Sequence, residues 1–172
     1  MQTDRARQEE WKDESASRRM VLAVGNSLLK DDGVGIHVLR RLVTERRRPD
    51  VRYVDGGTLG FTLAPLIEET DMLVVLDAMR FGAPPGSIAV KVGRDLDRFV
   101  SRKRATAHEV NLRDLLDIVR MRGSLPPARA LVGIEPESVE WGLDPTPTIA
   151  SAIPAAADAV ERLLDSLSGT RR

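Results

Sequence analysis

From Met20 to Val24 the chain is continuously apolar. Such a run is long enough for a strand buried on both faces and too short for a helix. Gly25 and Asn26 end it, and both residue types tolerate the positive φ of a tight turn. Two adjacent acids follow, Asp31 and Asp32, with Gly33 and Gly35 beside them. Beyond them Val34, Val38, Leu39, Leu42 and Val43 recur at helical spacing. The carboxylates therefore sit on a strand-to-helix crossing, the end of an open parallel sheet where ligands bind.

The remaining pattern repeats this alternation. Val51 to Val54 reads as a second strand ending at Asp55-Gly56-Gly57. A helix is predicted from about Thr58, a plausible N-cap, to Glu69, with Leu59, Leu63, Leu66 and Ile67 on one face. Met72 to Leu76 is the most apolar run and should be the central strand, delivering Asp77 at its end. Pro84-Pro85-Gly86 lies in a connection too short for a parallel crossover, so Ser87 to Val92 should run antiparallel to its predecessor. Residues 94–107 are charged and read as irregular. Thr106 and Glu109 have the spacing of a capping box for a helix from about Ala107 to Met121. Ala130 to Ile134 is the last strand, a proline-bearing loop follows over 135–148, and Ile149 to Leu167 form a terminal helix. Strands alternating with helices at this spacing give βαβ units: an α/β three-layer αβα sandwich whose mostly parallel, twisted sheet has about five strands, one antiparallel.

Composition bounds this picture. At 172 residues one domain is expected, over 20–168, behind a charged arm, 1–19, too poor in apolar residues to order itself. Lys+Arg and Asp+Glu number 26 each, which argues against nucleic acid and membrane surfaces as partners. Arg46-Arg47-Arg48 reads as a helix terminus before Pro49, with a partner site as the alternative. Cysteine is absent, so thiol nucleophiles, disulfides and thiolate metal clusters are excluded, and a reducing cytoplasm is the expected location. No apolar stretch reaches the roughly 18 residues of a membrane span.

The candidate chemistry is narrow. Asp31 or Asp32 could serve as a helix cap, but the neighbouring glycines let a ligand approach the backbone, which favours a site. Asp77, directly after five apolar residues, is held at the rim of the sheet. Of the two histidines, His37 sits beside Arg40 and Arg41, away from the apolar stripe, and is expected to be solvated. His108 opens a capped helix, where the dipole keeps the ring neutral, as a metal ligand or general base requires; a histidine merely facing water is the alternative. Two carboxylates and an imidazole suit a borderline divalent ion such as nickel or zinc. Asp55 after the second strand could bind a ribose, but the first turn lacks the glycine pattern of a dinucleotide site. His108-Glu109 does not continue into a zinc-protease motif, because Leu stands at 112, and no nucleophilic serine or phosphate-loop motif occurs.

The first turn, G-N-x-L-x-x-D-D-G-x-G, resembles the hydrogenase maturation proteases, endopeptidases that trim the C-terminus of NiFe-hydrogenase large subunits. Four further matches follow in order: Asp55-Gly56-Gly57-Thr58, Asp77 ending a strand, His108 opening a helix with Leu112, Leu115 and Leu116, and Gly133-Ile134-Glu135-Pro136-Glu137-Ser138. Together they span roughly residues 20–165. The resemblance implies that Asp32, Asp77 and His108 are both the catalytic positions and the metal ligands. The metal is nickel presented by the precursor, with no permanent cofactor. It also makes Asp55, Gly56, Gly57 and Thr58 a wall of the substrate cleft. The first ligand is Glu in some family members and Asp here, and family members begin close to the first strand, so residues 1–19 are an extension. Two other functions compete: a non-catalytic chaperone that binds the nickel site without cleaving, and a Rossmann-type small-molecule enzyme, which the first turn disfavours.

Overall fold

The protein is described by a computed structural model covering residues 18–58, 60–101 and 112–167. The charged arm before Arg18 lies outside them. Five strands form one sheet in the order β2-β1-β3-β5-β4: β1 (Arg19–Val24), β2 (Arg52–Gly57), β3 (Met72–Ala78), β4 (Ile88–Val92) and β5 (Ala128–Ile134). β1, β2, β3 and β5 run parallel, and β4 pairs antiparallel with β5 at the sheet edge. Among the described residues five α-helices cover it: α1 (Val34–Glu45), α2 (Ala64–Glu68), α3 (Arg94–Ser101), α4 (Leu112–Met121) and α5 (Pro147–Leu167). This is the expected three-layer sandwich.

The pleat of the strands divides the core. Successive side chains point to opposite faces, so Val21, Ala23, Val74 and Leu76 pack with α1 and α5. Met20, Leu22, Leu73 and Val75 pack with α2, α3 and α4. Burial on both faces is why β1 and β3 read as unbroken apolar runs rather than alternating ones. A fully buried Leu or Val contributes roughly 1.5–3 kcal/mol, so these two strands carry much of the stability.

Several sequence expectations change in detail. β1 begins one residue early, at Arg19, and β2 continues through Asp55-Gly56-Gly57 with a register shift opposite Ala23 and Val24. On α1, Ile36 is buried in the core, while Val43, two turns further along nearly the same side, is open. The helix expected over 58–69 is a 3-10 turn, Gly60–Leu63, followed by only five α-helical residues. Pro65 explains this: it has no N–H to donate back to an earlier turn, so an α-helix starts around it. Leu63, not Thr58, precedes α2, and Leu59 lies outside the described residues.

Residues 94–101, expected to be irregular, form α3. Its charged positions hide an i, i+4 pair, Leu96 and Val100, both buried. Asp97 is the polar anchor, accepting from Arg129 Nε at 3.0 Å and Nη2 at 2.6 Å. The arginine run after α1 is a helix terminus, as expected, and is also tied to α5. Arg46 pairs with Asp158, and Arg48 with Glu161 at 2.9 Å and Asp165 at 2.7 Å.

Candidate active site at the carboxyl edge of the sheet

In this strand order the chain leaves β1 toward β2 on one side and returns through β3 on the other. The crevice between the carboxyl ends of β1 and β3 is therefore the topological switch point, where open α/β sheets bind ligands. Both predicted carboxylates lie there. Asp32 stands in a 3-10 turn, Lys30–Gly33, directly before α1. It is half-buried, and its Oδ2 accepts from the Asn26 N–H at 2.8 Å. Asp77 is the penultimate residue of β3, half-buried, and stands opposite Gly133 of β5. By strand alternation from Leu73 and Val75 it projects toward the α2–α4 face.

Glycines make this crowding possible. A Cβ on Gly25, whose φ is +130°, would lie 2.1 Å from the Asp32 carbonyl oxygen. A Cβ on Gly35 would meet the Leu76 carbonyl oxygen at 2.7 Å and the Val24 carbonyl oxygen at 3.1 Å. The first turn of α1 thus sits directly on the ends of β1 and β3, with no side chain between. That contact brings the turn carrying Asp32 beside the strand end carrying Asp77.

The neighbouring Asp31 has a different role. It is fully buried. Its Oδ2 accepts from the Glu137 N–H at 3.0 Å, the Ser138 N–H at 2.8 Å and the Thr146 hydroxyl at 3.1 Å, and its Oδ1 from the Thr146 N–H at 2.6 Å. These are tertiary clamps rather than the local cap the sequence suggested. Glu135, also buried, acts similarly after β5. It accepts from the Phe81 N–H at 2.6 Å and the Ala83 N–H at 3.3 Å, holding the connection that follows Asp77. Sequence reasoning quoted both residues within motifs but gave neither this work, because their partners lie from 52 to 115 residues away.

Asp55 is exposed, and its Oδ1 accepts from the Gly57 N–H at 3.1 Å. Gly57 has φ +49° and offers its carbonyl to the Gly25 N–H at 2.9 Å. Gly56 is buried, its Cα face closed by Leu22, Leu63 and the Ala23 carbonyl. Asp55 to Thr58 therefore adjoin the turn of Asp32 at the same sheet edge. His37 is half-buried rather than solvated, with Nε2 enclosed and unpaired among the described residues. His108 and the Thr106–Glu109 capping box lie outside the described residues. Among the described residues no three His, Cys, Asp or Glu side chains come together as a metal-binding group.

A family model described as hydrogenase maturation protease matches residues 36–163. The hydrogenase expression/formation protein HupD of Rhodobacter capsulatus is 34% identical over 149 residues, covering 85% of this chain and 71% of that protein. The hydrogenase 2 maturation protease of Escherichia coli is 32% identical over 145 residues, covering 83% of this chain and 88% of that protein. The solved structure of the hydrogenase maturating endopeptidase HybD from E. coli aligns with a TM-score of 0.79 at 30% identity, covering 88% of this chain and 94% of that one. The chain belongs to the hydrogenase maturation protease family, a family of peptidases.

Proposed function

We propose that the protein is an endopeptidase that removes the C-terminal extension of a NiFe-hydrogenase large-subunit precursor once that precursor holds its nickel. The observation that supports this reading, together with family membership, is the close seating of the first turn of α1, which follows Asp32, on the strand ends that lead to Asp77, across the Gly35 contact. In this reading Asp32, Asp77 and His108 take up the nickel that the precursor presents, and the ion or its bound water activates the scissile peptide. Asp55 to Thr58 form a wall of the cleft.

The nickel is part of the substrate. A resident catalytic zinc site offers three protein ligands, each held by an outer hydrogen-bond partner. Here the candidate set is two carboxylates and a single imidazole, a donor set that suits a borderline divalent cation. A precursor that brings its own bound nickel completes the shell. The cysteine-free chain suits a reducing compartment, and the cytoplasm is the location this reading assigns. Among the described residues no helix is long and apolar enough to cross a membrane.

Mass spectrometry of nickel-loaded precursor after incubation tests the reading. A product shorter by its C-terminal extension is expected, and His108→Ala should abolish it while unfolding stays cooperative. Stable binding with no loss of mass would instead favour the nickel-site chaperone.

A further inference from the structure

Beside the proposed site, two segments far apart in sequence are joined through their backbones. The Gly142 N–H donates to the Leu28 carbonyl at 2.9 Å, and the Lys30 N–H donates to the Gly142 carbonyl at 2.8 Å. These bonds make a parallel bridge between Leu29 and Gly142. The Asp31 N–H adds a third link, to the Ser138 carbonyl at 3.2 Å. Around the bridge stand apolar side chains left open to water: Leu28 is 49% exposed, Val139 42%, Trp141 78% and Leu143 67%. Of the charges beside them, Lys30 and Glu140 pair with each other at 3.0 Å, and Glu137 and Asp144 are exposed at the flanks. The chemistry presented outward is therefore an apolar centre with acidic flanks.

Three properties identify what covers this surface. It is preformed, because the buried Asp31 carboxylate locks the 137–146 segment to the turn of Asp32, and a preordered surface loses little freedom on binding. It has a tryptophan as its most exposed member, a residue type that anchors protein contacts. Its open area is on the order of 500 Å², given about 150–250 Å² per aromatic side chain. That is as large as the biggest patch on an ordinary monomer, yet short of the roughly 800 Å² per partner of a standard stable interface. The area fits a client that is engaged and released, rather than a permanent second copy.

We propose that Leu28, Val139, Trp141 and Leu143 form a docking ledge for an apolar segment of the protein client whose peptide is cut at Asp32 and Asp77. The ledge sets the affinity for the client, not the rate of bond breaking. This rests on the protease reading above, since the ledge leads along the chain from Leu28 directly to Asp32.

Steady-state cleavage of nickel-loaded large-subunit precursor tests it, using wild type, the double variant Trp141→Ala/Leu143→Ser, and Met121→Ala. Met121 is 86% exposed at the end of α4, toward the opposite edge of the sheet, and serves as the control. Loss of an anchoring tryptophan should raise KM at least about tenfold in the double variant while kcat stays within about twofold, with Met121→Ala unchanged in both. An unchanged KM, or a loss confined to kcat, overturns the ledge and leaves the protease reading standing. If wild type does not cut the precursor, the protease reading fails by itself and calorimetric Kd values decide the ledge. A Kd at least about tenfold weaker in the double variant supports it, whereas equal affinity or no binding overturns it. A wild-type dimer that the double variant dissolves would also overturn it, by assigning the surface to a second copy.

Discussion

Asp31 and Thr146 are 115 residues apart in the chain and meet through two hydrogen bonds, from the Thr146 N–H to Oδ1 at 2.6 Å and from its hydroxyl to Oδ2 at 3.1 Å. With the Glu137 and Ser138 N–H groups on the same carboxylate, Asp31 fastens the loop after β5 to the turn after β1. Two adjacent aspartates thus divide the work: one is fully buried and holds two loops, the next is half-buried at the crevice.

This division predicts opposite phenotypes. Asp31→Asn puts an amide where two oxygens accept four bonds, so it should lower the unfolding free energy by about 2–3 kcal/mol. Asp32→Asn should cost less than Asp31→Asn, since Asp32 is half-buried at the crevice rather than fully buried under a four-bond clamp. It should nevertheless abolish cleavage. Urea unfolding and a cleavage assay on the two variants check both statements.

Gly35→Ala tests the contact that joins the two carboxylates. The new methyl would sit 2.7 Å from the Leu76 carbonyl oxygen, so α1 must move away from the strand ends. Overpacking of this kind costs roughly 1–3 kcal/mol. Cleavage should fall well beyond what the loss of folded protein accounts for, because Asp32 travels with the helix while Asp77 stays on its strand. Activity normalised to folded protein by circular dichroism reads this directly.

The Asp97–Arg129 pair predicts a pH dependence of stability. Hydrogen bonding to Arg129 holds the Asp97 carboxyl below its ordinary value of 3.8. A depressed folded pKa means that the unfolded chain binds the proton first, so the pair's contribution is fully present above that ordinary value. It is lost as pH falls through the depressed folded value. Asp97→Asn should cost about 1–3 kcal/mol at neutral pH and flatten the acid limb of the stability curve. Thermal unfolding of both proteins across acidic pH measures the difference.

How much of this was legible in the sequence depended on how local the signal was. β1 and β3 were plain because burial on both faces leaves uninterrupted apolar runs, and the place of Asp77 at the end of β3 was legible because a carboxylate stood out after one of them. α3 was missed because about two turns of a helix rich in charge reveal their buried stripe only through Leu96 and Val100. The helix after β2 was drawn too long because leucine spacing outweighed Pro65, whose missing N–H sets the start. His37 appeared solvated because helical spacing sets it beside Arg40 and Thr44, both exposed, although the folded chain leaves it half-buried. The clamp at Asp31 was invisible for a similar reason: its partners come from a loop beyond β5, and only the folded sheet brings them together.

The most direct test of the central claim is whether the metal arrives with the substrate. The protein is stripped with chelator, dialysed, and given precursor with or without nickel while product mass is followed. Metal-free protein should cut nickel-loaded precursor at full rate and leave nickel-free precursor intact. Cleavage of nickel-free precursor by zinc-supplemented protein would contradict the account and make this a protease that carries its own metal.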